Sequence, residues 1–368
     1  MAKLIIDTKR INENIDIINK FMMENKKKWS LISKILCGDK EVLKQIIKSP
    51  LIENIHSIGD SRLSSLKAVK EINPDVITMY IKPPALNYLE DVIEYADISM
   101  NTSIDTLLAL NEIASRKNKI HKAIIMIEMG ELREGILHDN VIEFYSNAFH
   151  LSNIEMVGLG TNLGCMYGIE PTFDKLIQLS LYKQLIEAKF NHNLDLISGG
   201  TSMTLPLIEQ GKVPTLINHF RIGEAAFLGV SPLNNDKFRN LNTDTFRVEA
   251  TIVEIEEKYY LPEGIISDGN VGHTNDNNSI QDFNTTSFKA LVDIGILDVN
   301  VENIESDDEK ISFIGTTSDI TVYDLGTNKN EGGEIRYKVG DIISFNPSYM
   351  GVARLMNSKF IEKEILSI

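Results

Sequence analysis

Two glycine-rich segments late in the chain have the composition of a phosphate-binding site. The first is Ser-Gly-Gly-Thr-Ser at residues 198–202 and the second is Arg-Ile-Gly-Glu at residues 221–224, and each closes an apolar, β-branched run. Glycine lets a ligand approach backbone N–H groups closely, while Ser202 adds a hydroxyl and Arg221 adds a fixed positive charge. In a (β/α)₈ barrel the phosphate site follows strands seven and eight. The two segments therefore predict a phosphorylated ligand.

Lys34 suggests which ligand this is. It lies in an apolar run near the end of the first predicted strand, where burial would lower its pKa and favour a Schiff base. The sequence equally allows a lysine that extends from the strand end into solvent. Lys82 is an alternative, although the prolines that follow it suggest an exposed strand end. A Schiff-base lysine and a phosphate site are the minimum set for pyridoxal 5'-phosphate (PLP).

The composition excludes several classes of protein. The 368 residues include 37 basic and 52 acidic ones, and the net charge of −15 argues against nucleic acid or an anionic membrane as a partner. The two cysteines, Cys37 and Cys165, predict neither a disulfide framework nor a zinc site, and we expect each to be a buried small hydrophobe. No signal segment or membrane span is evident, so we expect a cytoplasmic protein without a metal.

Short apolar runs alternate with helix-period segments through the first two thirds of the chain. Several helices are expected to begin at capping residues, including Ser61, Ser103 and Thr172. Strands that alternate with helices are parallel, and about eight of them favour a closed (β/α)₈ TIM-type barrel over an open doubly wound sheet. The predicted strands are residues 31–37, 54–60, 76–82, 98–101, 123–130, 156–162, 195–200 and 220–223.

The pattern changes after residue 237. Short β runs then replace the strand–helix alternation, and residues 267–286 form a polar segment rich in Asn, Asp, Gly and Ser. We therefore predict a PLP-binding barrel over residues 1–237 and a C-terminal all-β domain over residues 238–368. The predicted β runs are residues 247–256, 288–294, 311–314, 320–325 and 341–345.

Five segments in order resemble a known family, the alanine racemase-type PLP enzymes of fold type III, and most closely their alanine/ornithine racemase branch. The similarity covers nearly the whole chain, and the segment Asn-His-Phe-Arg-Ile-Gly-Glu at 218–224 is the most specific match. The five segments are residues 33–39, 127–136, 158–165, 197–202 and 218–224.

This resemblance implies a role for each matching residue. Lys34 would bind the cofactor covalently and act as one catalytic base. Arg221 would face the pyridine nitrogen as a donor, which weakens the electron sink and suits racemisation better than transamination. Arg133 would orient the phenolic oxygen of PLP or the carboxylate of the substrate. At two of the other positions the chain departs from the family, because Asn162 replaces its usual histidine and Thr201 replaces its usual asparagine. Tyr349 is equally compatible with an ordinary core tyrosine. The other cofactor-binding residues implied are Asn162, Thr201, Ser202, Tyr349 and the backbone near Gly223 and Glu224.

Other family features are missing. The tyrosine that serves as the second base in alanine racemases would fall at Ile296, and the lysine that some of them carbamylate would fall at Met126. The proton donor for the opposite face is therefore unassigned, with Asp298 and Asp319 as candidates and His273 as a weaker one. Asp319 lies in a segment that resembles the one reaching the other subunit's site, which implies a head-to-tail homodimer.

The resemblance implies a PLP-dependent amino-acid racemase. Asp319 could pair with a side-chain amine, so ornithine or lysine is the expected substrate. A PLP-dependent decarboxylase on the same scaffold is one alternative. A non-catalytic PLP-binding protein is another, although such proteins resemble the barrel alone, and the missing tyrosine also allows an inactive member.

Overall fold

The computed structural model describes residues 2–266, 269, 272–274 and 285–367. It divides into two compact units, one of Thr8–Thr243 and one of Met1–Asp7 with Asp244–Ile368. The first strand, β1 (Lys3–Asp7), belongs to the second unit, where it pairs antiparallel with strand β12 (Phe246–Tyr259). The first unit contains the residues that we expect to bind the cofactor, except Tyr349.

The first unit is a closed barrel of eight parallel strands. The last strand pairs back onto the first, with Trp29 opposite Phe220 and Ser30 opposite Arg221. This confirms the predicted (β/α)₈ barrel and excludes the open sheet. The barrel strands are β2 (Lys28–Ile32), β3 (Ser57–Asp60), β4 (Thr78–Tyr80), β5 (Ile98–Asn101), β6 (His121–Met126), β7 (Ile154–Gly160), β8 (Leu196–Thr201) and β9 (His219–Ile222).

Helices follow the barrel strands, as the alternating pattern predicts. The hydroxyls of Ser103 and Thr172 cap their helices as expected, but Ser61 is not a cap, because Arg62 takes that position and makes no side-chain cap bond. The helices of this unit are α1 (Thr8–Glu24), α2 (Lys40–Ile47), α3 (Leu63–Ile72), α4 (Leu89–Tyr95), α5 (Ile104–Arg116), α6 (Val141–Ala148), α7 (Phe173–Phe190), α8 (Leu205–Glu209) and α9 (Glu224–Leu228), followed by the short strands β10 (Val230–Ser231) and β11 (Asp236–Lys237).

Side chains from five neighbouring barrel strands pack as one buried apolar cluster. Met126 is one of them and is almost fully buried. Burial of this apolar surface stabilises the barrel that carries the polar residues at its strand ends. The cluster contains Met79, Ile98, Met100, Ile124, Met126, Val157 and Leu196.

The second unit is a mostly antiparallel sheet, and strand β12 is its centre. The first half of β12 pairs with β1 and β18, and its second half pairs with β14 after a register shift between Ile252 and Glu254. This confirms that a strand-rich domain follows the barrel. Its elements after β12 are β13 (His273–Thr274), β14 (Thr286–Val292), β15 (Ile304–Ser306), β16 (Ser312–Thr316), β17 (Thr321–Asp324), β18 (Ile342–Pro347), α10 (Tyr349–Asn357) and β19 (Glu362–Leu366).

None of the described helices combines the length and the apolar character needed to cross a lipid bilayer. The predicted polar segment at 267–286 falls mostly outside the described residues.

Candidate active site

The carboxyl ends of the barrel strands bring most of the predicted site residues to one end of the first unit. Because all eight strands are parallel and the barrel is closed, residues that end or follow a strand surround a common opening. This is where (β/α)₈ enzymes place their catalytic groups. The predicted residues found here are Lys34, Arg133, Asn162, Thr201, Ser202, Arg221, Gly223 and Glu224.

Lys34 does not lie in a strand, contrary to the expectation from its apolar surroundings. Strand β2 ends at Ile32, and Lys34 begins a short 3₁₀ turn over Lys34–Leu36, where its side chain is exposed. The strand stops because Ser33 makes the last ladder bond, from its N–H to the Gly59 carbonyl at 2.9 Å. Cys37 then adopts a left-handed conformation (φ 51°), which ends the turn.

The charge of Lys34 acts on two carboxyl groups, those of Asp60 and Glu224. Asp60 ends strand β3, is completely buried, and accepts a bond of 2.9 Å from the Ser33 hydroxyl. Burial raises the pKa of Asp60 to about 6, against the opposing effects of the Arg62 backbone N–H, Ser33 and Lys34. Burial also raises the pKa of Glu224, and Lys34 opposes it. Lys34 therefore lies beside two acids that hold their protons more tightly than usual.

The loops after β8 and β9 form a small cradle around the hydroxyl of Ser202. This oxygen accepts the backbone N–H of Gly223 at 3.3 Å and that of Ala225 at 3.2 Å. A Cβ at Gly223 would lie only 3.1 Å from the carbonyl oxygen of Ile32, so a residue with a side chain would crowd the backbone here. Both N–H groups are directed at the Ser202 oxygen and hold the hydroxyl in place, so that its own proton can be donated to a phosphate oxygen.

Arg221 points its guanidinium into the polar interior of the barrel. Its side chain is buried and donates to the Ser198 hydroxyl at 2.5 Å and to the Thr161 carbonyl at 2.8 Å. Burial lowers the pKa of Arg221 to about 10, and the charge of Glu134 opposes this. Arg221 therefore remains protonated at neutral pH.

A hydrogen-bonded chain of buried side chains lies behind Arg221. His219 bonds Ser198 through Nδ1 at 3.0 Å and Ser30 through Nε2 at 2.8 Å, and Ser30 bonds Ser57 at 2.6 Å. Burial keeps the pKa of His219 well below its usual value, so the ring is neutral. This chain fixes the Ser198 hydroxyl and, through it, the position of the Arg221 guanidinium. Sequence reasoning missed it, because only strand register brings these residues together.

Arg133 lies on the segment that follows β6. Its Nε and NH2 groups contact the carboxylate of Glu134, and its NH1 group contacts the thiol of Cys165. The amide oxygen of Asn162 accepts from Arg221 at 3.4 Å and, with the amide rotated by 180°, would accept from Arg133 NH1 at 3.1 Å. Asn162 thus lies between the two guanidinium groups. Arginine is suited to binding carboxylates and phenolate oxygens.

The expectation that both cysteines are buried is wrong for Cys165, which is exposed, and Cys37 is only half-buried. Cys165 is exposed because it belongs to the loop after β7. The Glu131 carboxylate holds this loop by accepting the backbone N–H of Cys165 at 3.0 Å and that of Ile169 at 2.8 Å. The loop therefore places the Cys165 thiol in contact with Arg133.

Asp298 and Asp319, predicted separately, lie close together in the strand-rich unit. Their two loops are hydrogen-bonded, with Leu297 N–H donating to the Ser318 carbonyl at 2.9 Å. A Cβ at Gly295 would lie 2.4 Å from the Asp319 nitrogen, so only glycine allows this approach. Burial raises the pKa of Asp298, and the charge of Asp319 adds to the effect. The pair therefore includes one acid that retains its proton more readily than an ordinary aspartate.

The remaining predicted residues occupy simpler positions. Thr201 is the last residue of β8, and its hydroxyl accepts the Met203 N–H at 3.4 Å. Tyr349 begins α10 and is half-buried, whereas His273 is an exposed residue of β13. The phosphate-binding role of Tyr349 stays a prediction.

Comparisons with known proteins bear on the fold and the family of the chain. A family model for the N-terminal domain of alanine racemase matches residues 6–232. The chain is 32% identical to an ornithine racemase of Acetoanaerobium sticklandii, covering 99% of both chains. It is 27% identical to a lysine racemase of Thermotoga maritima, covering 98% of this chain and 97% of the relative.

Solved structures share the fold at low sequence identity. An alanine racemase of Clostridium difficile 630 superimposes with a TM-score of 0.72 at 15% identity, covering 99% of this chain and 95% of that one. An alanine racemase of Bartonella henselae with covalently bound pyridoxal phosphate also gives 0.72, at 14% identity and 99% coverage of both chains.

A closed (β/α)₈ barrel with a strand-rich second unit, together with full-length similarity to an ornithine racemase and a lysine racemase, places the chain in the class of barrel-type amino-acid racemases. The chain belongs to the alanine racemase family.

Proposed function

We propose that this protein is a PLP-dependent racemase that interconverts the L and D forms of a diamino acid, ornithine or lysine. The observation that carries the proposal is the full-length similarity to an ornithine racemase and a lysine racemase. The 32% and 27% identities extend over the strand-rich unit as well as the barrel. The proposal of a non-catalytic barrel protein is therefore not favoured.

The residues at the barrel mouth fit PLP by the chemistry of their donors. When bound, PLP supplies an electron sink that acidifies the Cα proton of an amino acid. Lys34 would hold it covalently, and the Ser202 hydroxyl, which the N–H groups of Gly223 and Ala225 hold in place, would bind its phosphate together with the backbone near Gly223 and Glu224. The buried guanidinium of Arg221 would donate to the pyridine nitrogen. The other proposed cofactor contacts are Arg133, Asn162, Thr201, Glu224 and Tyr349.

Racemisation requires that a proton leaves one face of the substrate carbon and that another arrives on the opposite face. We assign the first face to the Lys34 amine, whose neighbours Asp60 and Glu224 can accept or supply a proton because burial raises their pKa values. We assign the second face to the pair Asp298 and Asp319. The raised pKa of Asp298 suits a proton donor.

We further propose a cytoplasmic, head-to-tail homodimer, in which the Asp319 loop of one subunit completes the site of the other. Family membership supports the dimer. The exposed free thiol of Cys165 favours a reducing compartment.

A racemisation screen tests the proposed function. Purified protein with added PLP is incubated with each common L-amino acid and with L-ornithine, and the enantiomers are separated by chiral chromatography. We expect D-ornithine or D-lysine to form fastest and to approach an equal mixture. Carbon dioxide release without racemisation would instead assign the decarboxylase activity, and no turnover of any amino acid would contradict the proposal.

A further inference from the structure

The acidic residues that follow β6 differ in what their carboxylates bind. Glu128 accepts the backbone N–H groups of Leu132 and Arg133, each at 3.1 Å. Glu131 is buried and accepts backbone N–H groups from residues 165–169 of the next loop. Both carboxylates are therefore occupied by the backbone of the loops that they shape.

Glu134 presents its carboxylate to arginine side chains instead. It pairs with the guanidinium of Arg133, and its charge also acts on Arg221. Its side chain is only 12% exposed. Because Glu134 pairs with side chains and not with backbone N–H groups, it can exchange the arginine for a charged ligand without disrupting the backbone of the loop. Its carboxylate is therefore available to such a ligand.

The backbone holds Glu134 in place. Gly135, the next residue, has φ +147°, and a Cβ there would lie 2.3 Å from the backbone nitrogen of Glu128. The segment is closed by two bonds, from Glu128 N–H to the Ile136 carbonyl at 3.0 Å and from Ile136 N–H to the Met126 carbonyl at 2.8 Å. The backbone at Glu134 is therefore held in one position beside Arg133, which reduces the conformational entropy that the side chain loses when it binds a ligand.

We propose that Glu134 determines substrate specificity by accepting the side-chain ammonium of a diamino acid, while Arg133 beside it binds the α-carboxylate. This inference rests on the proposed function. A substrate carboxylate that arrives at Arg133 meets the Glu134 carboxylate on the same guanidinium, and two anions sharing one cation repel each other. An ammonium group on the same substrate relieves the repulsion and forms a charge-assisted hydrogen bond. An amino acid without that group does neither.

L-ornithine and L-norvaline form a matched pair to test this, because they differ only in the side-chain amine. For Glu134→Gln, we expect the ratio of kcat/KM for ornithine to that for norvaline to fall about 10- to 100-fold, mainly through the KM for ornithine. The apparent dissociation constant, read from the change in cofactor absorbance on mixing with each amino acid, should rise for ornithine alone. Glu112→Gln, the same charge change on an exposed face of α5, should leave the ratio unaltered.

Three results would overturn the inference. An equal loss for ornithine and norvaline in Glu134→Gln would mean that Glu134 only positions Arg133. A collapse of the ratio in Asp319→Asn but not in Glu134→Gln would assign the ammonium to Asp319. Failure of the wild-type protein to racemise ornithine or lysine would remove the proposed function itself. If Glu134→Gln does not fold, Glu134→Asp serves instead: it keeps the charge but retracts it, and should raise KM for ornithine more than for norvaline.

Discussion

At the scale of single residues, the site combines an exposed lysine amine with carboxyl groups whose pKa values are raised by burial. Asp60 is the clearest case, because it is fully buried, bonded to Ser33, and has a pKa raised to about 6. In the role proposed for Lys34, where its amine alternates between covalent attachment and proton transfer, such neighbours would assist the exchange of protons. Lys82, the alternative lysine, is also exposed and follows β4.

Substitution of the two lysines distinguishes them. We expect Lys34→Ala to abolish covalent PLP attachment, because the amine that forms the bond is removed. Lys82→Ala is the matched control and should attach the cofactor as the wild type does. Borohydride reduction followed by peptide mass spectrometry measures the adduct. An adduct that persists in Lys34→Ala and disappears in Lys82→Ala would assign the role to Lys82.

Some site residues follow from the sequence and others do not. Ser202 and Arg221 could be predicted, because they stand beside glycines that allow a ligand close to the backbone. Glu134 could not be separated from Glu128 and Glu131 by sequence, since the three differ only in which groups their carboxylates meet. The exposure of Cys165 likewise depends on the loop bonded to Glu131, which no local pattern reveals.

At the scale of elements, the apolar runs located all eight barrel strands but misplaced some of their ends. The largest shift concerns β2, which was predicted at 31–37 and lies at Lys28–Ile32. Residues 35–36 extended the predicted strand because they are apolar, but they are buried in the 3₁₀ turn that follows it. The polar chain from Arg221 to Ser57 arises from register alone, with Ser30 opposite both Ser57 and Arg221. Periodicity contains no information about register between distant strands.

Three histidines in or beside the barrel strands, of which His121 and His219 are buried and His56 is half-buried, predict acid sensitivity. Burial lowers the pKa of His56 and His121 to about 4 and that of His219 well below normal, so the unfolded chain binds protons at these positions more readily than the folded one. Their stabilising effect is present above the unfolded pKa of about 6.5 and is lost as pH falls below it. Asp60, Glu224 and Asp298, whose pKa values burial raises, act in the opposite direction and reduce this loss of stability without cancelling it.

We therefore expect the free energy of unfolding to fall by about 3 kcal/mol between pH 7 and pH 5, measured by urea titration. His121→Gln should reduce this slope, because its imidazole is buried against the Ser99 hydroxyl at 2.7 Å. His138→Gln, at an exposed histidine, should leave it unchanged. A slope of zero in the wild type would contradict the assignment of neutral buried histidines.

At the scale of the whole molecule, the residues of the proposed site are divided between two units of the chain. The barrel unit holds Lys34, Ser202 and the buried Arg221, whereas the strand-rich unit holds Asp298, Asp319 and Tyr349. The (β/α)₈ class was predictable because alternation of strand and helix leaves few architectures. The assignment of β1 to the second unit was not, since a five-residue strand at the start of a chain gives no indication of its distant partner, β12.

We propose above all that this protein moves the Cα proton of a diamino acid and that it uses Lys34 to do so. Proton NMR of L-ornithine and L-lysine in deuterated water, with holoenzyme, measures this directly. We expect the Cα proton signal to disappear while the D-enantiomer accumulates, and we expect neither change with Lys34→Ala. Retention of the Cα proton by both amino acids with the wild-type holoenzyme would contradict it.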